Sequence, residues 1–310
     1  MGKSATRDAY GKTLAEIGAD EKIVVLDADL SKSTKTALFK DKYPERHFNM
    51  GIAEGNMMSV AAGIASAGKT VFASSFAVFA SGRAFEQIRN SVCYPRMNVK
   101  IGASHSGITV GEDGATHQSI EDIAIMRALP NMTVLSPCDA AETVFCVKYA
   151  AATDGPVYLR LGRLAVEDVY GEDASFEAGK GVLLRNYGDD VTIFATGFMV
   201  QQSLEAVELL REAGICARLV DIFSVKPVDR EIIVKNASET GRVVTVEEHS
   251  IIGGLGSAVA EVLSEECPVR LKRIGMEDTF GTSGTPADLL EKYGLNGAAI
   301  ARKVRDFVSD

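Results

Sequence analysis

The sequence predicts an α/β protein with two doubly wound domains and mostly parallel sheets. Short runs rich in valine and isoleucine alternate with longer helical patterns almost from end to end. Such alternation is typical of parallel strands joined by right-handed crossovers. The runs are also apolar at nearly every position, as expected when helices cover both faces of a sheet. The 310 residues are sufficient for two such domains.

The two patterns assign the elements in chain order. Eight runs are predicted as strands, at residues 22–26, 70–73, 99–102, 132–135, 191–194, 217–220, 242–246 and 269–274. Five stretches between them are predicted as helices, at residues 5–17, 55–67, 80–92, 120–128 and 140–152.

The alternation lapses between residues 164 and 180, where glycine and acidic residues concentrate around Val169-Tyr170-Gly171-Glu172-Asp173. We therefore predict a first domain at 1–165, a linker and the start of the second domain at 166–187, and the second domain at 188–310. Ligands of open α/β sheets bind beyond the carboxyl ends of the strands. The segments that follow strands are consequently where functional residues are expected.

Composition and charge exclude several functional classes. The formal net charge is −9 and no block of lysine or arginine occurs, so a nucleic-acid or anionic-membrane partner is not expected. No apolar run is long enough to cross a membrane, and no secretory leader is recognisable. The five cysteines are scattered and lack metal-ligand spacing. They indicate thiols in a reducing compartment and no metal site, so we expect a cytoplasmic protein.

Glu54 is the first candidate for chemistry because it opens an apolar helical stretch of small residues. That stretch, at 55–67, is expected to be buried on all sides. A carboxyl group at the start of a buried helix loses its hydration and can share a proton with a ligand. The alternative is that Glu54 only complements the positive end of the helix dipole.

The second candidate is a glycine-rich segment that contains His105 and His117, two of only four histidines. A connection of this length without its own secondary structure is usually functional or disordered. Neutral histidines transfer protons and donate hydrogen bonds to oxyanions. The alternative is a surface loop with incidental histidines. His47 and His249 have no such setting and are interpreted as structural.

Cations and hydroxyl groups in the first domain form the third candidate set. An acidic protein that binds a phosphorylated substrate needs a local positive pocket, and arginine is the preferred side chain for a phosphate. Each residue alone is equally compatible with a surface charge or a helix cap, and spacing cannot show that they converge. The set is Arg7, Ser33, Arg83, Arg160 and Arg163.

Five motifs, taken in their order along the chain, resemble the transketolase family. Gly-x-x-Glu-x-x-Met at 51–57 and Gly-Glu-Asp-Gly-x-Thr-His-Gln at 111–118 resemble its pyrimidine-binding domain. The segments at 247–249, 253–256 and 275–278 resemble its C-terminal domain. The resemblance covers essentially the whole chain. It implies the C-terminal half of a split transketolase, a transferase of pentose-phosphate metabolism that moves a two-carbon ketol unit from a ketose phosphate to an aldose phosphate.

The resemblance also implies the residues that contact the cofactor, thiamine diphosphate. Glu54 matches the glutamate that hydrogen-bonds the aminopyrimidine and favours its imino tautomer, while the cofactor performs the bond chemistry itself. Phe76 and Phe79 match aromatic side chains that pack on the pyrimidine ring. Asp29 matches an acidic residue at the subunit contact near the cofactor.

A substrate site is implied in the same way. Asp113 matches a carboxylate that contacts a substrate hydroxyl, and His117 matches a histidine beside the reacting oxygens. The predicted catalytic residues are therefore Glu54, His105 and His117. The predicted substrate-binding residues are Arg7, Ser33, His105, Asp113 and Arg163, of which all but Asp113 match phosphate contacts.

Four positions differ from the family pattern and leave the identity of the substrate open. Ala53 and Gly55 flank Glu54 where transketolases have arginine and histidine. Ala73 stands where a third aromatic residue of the pyrimidine pocket is expected. Arg160 is similar to a residue of deoxyxylulose-phosphate synthases.

The resemblance implies a partner chain. The diphosphate and metal signature of the family, Gly-Asp-Gly followed by asparagine, does not occur in this sequence. We therefore expect an N-terminal transketolase subunit that carries the diphosphate-binding domain and holds a magnesium or calcium ion, in a two-plus-two heterotetramer. The alternatives are a subunit like deoxyxylulose-phosphate synthase, a beta-type subunit of a 2-oxo-acid dehydrogenase, and an inactive regulatory subunit.

Overall fold

The computed structural model describes residues 2–171 and 173–310. Within that part of the chain the strands are β1 (Lys3–Ala5), β2 (Ile23–Asp27), β3 (His47–Asn49), β4 (Thr70–Phe76), β5 (Val99–Ser104), β6 (Thr133–Leu135), β7 (Val157–Arg160), β8 (Ala165–Glu167), β9 (Val182–Asn186), β10 (Val191–Ala195), β11 (Ala217–Asp221), β12 (Ser224–Lys226), β13 (Arg242–Ser250) and β14 (Arg270–Met276).

The same residues form α1 (Thr6–Ile17), α2 (Ser31–Thr34), α3 (Ala37–Lys42), α4 (Glu54–Ser66), α5 (Phe85–Gln87), α6 (Asp122–Arg127), α7 (Ala140–Ala152), α8 (Met199–Glu212), α9 (Arg230–Thr240), α10 (Leu255–Glu266), α11 (Pro286–Lys292) and α12 (Gly297–Ser309). Short 3₁₀ segments lie at Pro44–Arg46 and Ile108–Asp113, and π-helical turns at Phe79–Arg83 and Ile88–Cys93. Among the described residues, no helix is both long enough and apolar enough to cross a membrane.

The predicted doubly wound α/β class is confirmed by two mostly parallel sheets. The first has the order β12-β6-β7-β5-β4-β2-β3, and only β12 is antiparallel to its neighbour. The second has the order β14-β13-β10-β11-β9, and only β9 is antiparallel. Apolar side chains of the strands and the covering helices form the buried clusters on these sheets.

All eight predicted strands are present, with ends that differ from the prediction by at most four residues. The sequence did not predict β1, β3, β8, β9 and β12, which lie at sheet edges or in the separate two-stranded β1-β8 pair. It also did not predict β7, an interior strand of four residues. Short strands and edge strands carry a weak apolar pattern, which explains most of these omissions.

The division into domains at residues 165 and 188 stays a prediction. Strand β12, from the second half of the chain, pairs with β6 at the edge of the first sheet. Strand β9 lies inside the segment predicted as a linker and pairs with β11 of the second sheet. Glu172, in the middle of that segment, lies outside the described residues.

One prediction about α4 is wrong. The helix is not buried on all sides, because Asn56, Ser59, Gly63 and Ser66 are exposed along one face. The opposite face, which includes Met57, Met58 and Ala61, is fully buried against the sheet. Glycine and serine at the outer positions leave a helix with no strongly polar face, so its sequence did not distinguish the outer side from the inner one.

Candidate active site

The carboxyl edge of the first sheet brings the predicted site residues together. Glu54 follows β3, Phe79 follows β4, His105 follows β5 and Arg163 follows β7. These strands run in the same direction, so their carboxyl ends meet along one edge. The predicted site residues therefore lie at the edge where ligands of open α/β sheets bind.

Glu54 is the first residue of α4, and its side chain is only 1% exposed. The Ser75 hydroxyl donates to Oε1 at 3.1 Å. The Arg83 guanidinium donates from Nη1 to Oε2 at 2.7 Å, and the two groups form an ion pair. Both carboxylate oxygens thus have partners from later segments of the chain. Because Arg83 is more exposed than Ser75, a ligand would reach Glu54 from the side of Arg83.

Aromatic rings continue the site from Arg83 toward His105. Arg83 Cζ lies 4.7 Å from the centroid of the Phe79 ring. The Phe79 ring stacks on Phe76 at 6.1 Å, and the Phe76 ring stacks on His105 at 3.8 Å between centroids. His117 meets the Phe79 ring edge-on at 5.3 Å. Both predicted histidines therefore lie against the pair of predicted phenylalanines.

His105 is buried, and its ring has a defined hydrogen-bonding state. Arg7 Nη1 lies 2.9 Å from Nε2. Because arginine can only donate, Nε2 accepts, and the proton on Nδ1 is available to the Ser104 hydroxyl at 2.9 Å. Burial, and then the charges of Arg7 and Arg163, lower the pKa of His105 to about 3. The ring is consequently neutral near pH 7 and placed between cations.

Arg7 of α1 closes this end of the site. Its Nη1 also donates to the main-chain carbonyl of Ser33 at 3.2 Å, while Nε is buried without a hydrogen-bond partner. Burial lowers the pKa of Arg7; the charge of Asp8 opposes this shift, and the charge of Arg163 adds to it. Ser33 contacts the site through its main chain rather than through its hydroxyl.

Three of the predicted residues lie at the margins. Arg163 is partly exposed; it donates to the carbonyl of Val110 and lies 3.4 Å from Glu112. Asp113 is exposed at the end of the 3₁₀ segment. Asp29 is exposed, has φ of +64°, and accepts a hydrogen bond from Asn49 at 2.7 Å. In the part of the chain that the structure describes, none of the three is hydrogen-bonded to the residues from Glu54 to Arg7.

Arg160 and Ala73, two positions that differ from the family pattern, are buried in strands of the first sheet. Arg160 does not face the site, because it is buried in an ion pair with Asp122 at 2.9 Å and donates to the main-chain carbonyl of Glu248, also at 2.9 Å. Ala73 lies fully buried in β4 opposite Ile101. A strand residue points either to one face or to the other, which the sequence alone did not assign here.

Sequence reasoning also missed parts of the site. Ser75 and Ser104, the partners of Glu54 and His105, gave no signal because serine is common in every setting. Arg83 was noticed only as one cation among several, and its pairing with Glu54 was not expected. A group that could hold a metal ion was missed as well: Cys138, Glu142 and Asp221 are buried and offer donor atoms within 4.8 Å of one another.

Comparison with known proteins identifies the family of the chain. The profile of the transketolase pyrimidine binding domain matches residues 2–168, and that of the transketolase C-terminal domain matches residues 179–300. A Methanocaldococcus jannaschii protein assigned as a transketolase C-terminal section is 54% identical over 304 residues, which is 97% of this chain and 95% of that protein. A 6-deoxy-6-sulfo-D-fructose transketolase subunit from a Clostridium species is 45% identical over 97% of this chain and 93% of its own length.

Solved structures lead to the same family. A structure described as a split gene transketolase, inactive beta4 tetramer, is 56% identical and covers 99% of both chains with a TM-score of 0.90. The chain spans about half the length of the transketolases it matches from human and mouse, 49% in each case. This chain therefore belongs to the transketolase family and consists of that family's pyrimidine-binding and C-terminal domains.

Proposed function

We propose that this chain is the C-terminal subunit of a transketolase that uses thiamine diphosphate to move a two-carbon ketol unit from a ketose phosphate to an aldose phosphate. The observation that carries the proposal is the unbroken series of contacts from Glu54 through Phe79 and Phe76 to His105 and Arg7. It joins a buried carboxylate, flat apolar surfaces, a neutral imidazole and a guanidinium in one site.

The end of the site at Glu54 fits an aminopyrimidine. A planar ring with ring nitrogens needs an aromatic surface and a buried hydrogen-bonding carboxyl group, which Phe79 and Glu54 provide. When bound, thiamine diphosphate supplies the electron sink for cleavage of the ketose C2–C3 bond. In this proposal Glu54 holds a proton at a ring nitrogen, Phe76 and Phe79 fix the plane of the ring, and Asp29 lies at the contact with the partner subunit.

The end of the site at Arg7 fits a phosphorylated sugar. Arg7 and Arg163 provide positive charge, which adds to the effect of burial in lowering the pKa of His105. Since burial keeps His105 neutral, it can accept or donate a hydrogen bond without adding a third charge. In the same proposal Ser33 contacts the phosphate, Asp113 contacts a hydroxyl of the sugar, and His117 lies beside the reacting oxygens.

Activity in this proposal requires a subunit with the diphosphate-binding domain, which would also hold the magnesium or calcium ion in a two-plus-two heterotetramer. The chain covers only half of full-length transketolases. The related beta4 tetramer is described as inactive, as expected of a subunit without its partner. In addition, Ile52 beside Glu54 is 76% exposed, which leaves an apolar surface next to the site for another chain.

The experiment is reconstitution with the partner subunit, followed by activity assays on a panel of ketose and aldose phosphates and a sulfonated ketose. The complete assembly is expected to transfer ketol units, whereas the chain alone should neither bind thiamine diphosphate in the micromolar range nor react. Micromolar binding of the cofactor by the chain alone would contradict the division of the site between two subunits.

Glu54→Gln tests the role of the carboxyl group within the assembly. Glutamine keeps the size but cannot share a proton, and general acid–base assistance commonly contributes about 10²–10⁴-fold to rate. The variant should still assemble. Its activity, and its rate of hydrogen–deuterium exchange at the reactive carbon of the cofactor, should both fall by this factor. Glu45→Gln, at an exposed position of the same domain, is the matched control and should exchange at the wild-type rate. If the two variants exchange at the same rate, Glu54 only complements the helix dipole and does not assist proton transfer.

A further inference from the structure

Arg83 makes two contacts at once, and they are of different kinds. Its Nη1 donates to Glu54 Oε2 at 2.7 Å, and its Cζ lies 4.7 Å from the centroid of the Phe79 ring. A guanidinium is planar and carries N–H donors around its rim. It therefore presents a flat face to the phenylalanine and a donor edge to the carboxylate.

An aminopyrimidine bound here would need the same two contacts. It would place its face on the aromatic ring and donate an N–H to the carboxyl group of Glu54. Glu54 is only 1% exposed, and its other hydrogen-bond partner, Ser75, is fully buried. The Arg83 side chain is 49% exposed, so a ligand that approaches from solvent meets Arg83 before it meets Glu54.

The Arg83 side chain lies at an open edge of the site. Arg83 ends the π-helical turn Phe79–Arg83, and π-helical turns are frequent at functional sites. No atom lies within 4 Å of the position that a Cβ would occupy at Gly82, so there is open space beside the turn. A guanidinium that left Glu54 could turn toward solvent, which already reaches half of the Arg83 side chain.

We propose that Arg83 occupies the pyrimidine subsite in the free chain and is displaced when the cofactor binds. The proposal rests on the proposed function, since it concerns the same site. Before assembly, Arg83 neutralises a carboxylate that would otherwise be buried without a counter-charge. The binding of the cofactor then has to break this ion pair, which lowers the affinity for the cofactor. Arg83 is therefore a positioning residue that keeps the subsite formed before the cofactor binds.

The test is thiamine-diphosphate affinity of the assembled wild-type, Arg83→Gln and Arg83→Lys proteins. Arg83→Gln removes one charged group that competes with the cofactor for Glu54. Because the guanidinium is half exposed, solvent weakens its ion pair, so we expect the Kd of Arg83→Gln to be about three- to ten-fold lower than that of wild type. Lysine keeps the charge but not the flat face, so Arg83→Lys should fall between the other two. Unchanged or weaker binding by Arg83→Gln would overturn the proposal, because Arg83 would then be a bystander or a support for the cofactor.

Measurements on the free chain test the ion pair without any activity. Arg83→Gln should lower the melting temperature of the free chain because Glu54 loses its counter-ion, and Glu54→Gln in addition to Arg83→Gln should restore most of the loss. If the double variant is no more stable than Arg83→Gln alone, the pair does not exist in solution and the proposal fails. If instead the assembled wild-type protein binds no cofactor, the proposed function fails first, so the two failures are distinguishable.

Discussion

We expect Asp221→Asn to reduce the loss in the free energy of unfolding that the chain undergoes as pH rises, although the side chain is fully buried. The Tyr170 hydroxyl donates to Asp221 Oδ2 at 2.9 Å, whereas Oδ1 is buried without a partner. Glu142 is similar: Cys138 N donates to Oε2 at 2.7 Å, and Oε1 is buried without a partner. Carboxylate oxygens of Asp221 and Glu142 lie within 4.8 Å of each other. The pair is therefore stable only when a proton is present.

The magnitude follows from the pKa values. Burial raises the pKa of Asp221 from 3.8 to about 7, and burial together with the charge of Asp221 raises the pKa of Glu142 well above its ordinary value. Between pH 4 and 7, roughly, the folded chain keeps a proton that the unfolded chain has released, so the free energy of unfolding falls as pH rises through this window. One proton corresponds to about 1.4 kcal/mol per pH unit, hence to about 2 kcal/mol between pH 5.5 and 7.

The assay is urea denaturation of the wild-type and Asp221→Asn chains at pH 5.5 and pH 8, at one protein concentration and with EDTA so that no metal ion neutralises the carboxylates. Other groups also titrate here, since the pKa of Glu248 is raised to about 7 by burial while that of His105 is lowered. The decisive quantity is therefore the difference between the two proteins. The stability of the variant relative to wild type should increase by about 2 kcal/mol from pH 5.5 to pH 8, because its amide cannot ionise.

Asp139→Asn is the matched control, at a carboxylate that lies beside Glu142. Asp139 accepts hydrogen bonds from the main-chain N–H groups of Glu142, Val169 and Tyr170 at 2.8–2.9 Å. An amide replaces one of these acceptor oxygens with a donor, so this variant should be destabilised at both pH values. If Asp221→Asn shows no relative gain at pH 8, Asp221 is ionised in the folded chain and the shared proton does not exist.

Two further predictions concern arginines with different surroundings. Arg163→Ala in the assembled enzyme should raise the KM for phosphorylated sugars about ten-fold more than for unphosphorylated ones, the effect of one charge-assisted contact; an equal rise for both would remove Arg163 from the phosphate site. Arg160→Met should lower the free energy of unfolding by about 3–5 kcal/mol because it leaves Asp122 buried without its counter-ion. In urea denaturation, Asp122→Leu added to Arg160→Met should recover much of this loss, and a double variant as unstable as the single one would show that the ion pair is not the cause.

The local pattern of the sequence was sufficient for the fold class. Strands β2, β4, β5, β10, β11 and β13 are buried at most or all of their positions, so their runs of apolar residues stand out without any knowledge of tertiary contacts. Parallel strands also place their carboxyl ends along one edge, which is why Glu54, Phe79 and His105 could be expected near each other before any distance was known. The motif around residues 111–118 pointed to the family because it is long and specific.

Pairings between distant side chains were decided by the tertiary structure. Arg83 and Arg160 are both arginines that follow apolar segments, yet one is half exposed against Glu54 and the other is buried against Asp122. Sequence spacing could not separate them, because each partner belongs to another element and the contact depends on how the helices pack on the sheet. Carboxylate oxygens of Glu142 and Asp221 lie within 4.8 Å of each other for the same reason, across the junction between the first and the second half of the chain. The sequence determined which residues could act, and packing determined which of them carry a charge, a proton or a ligand.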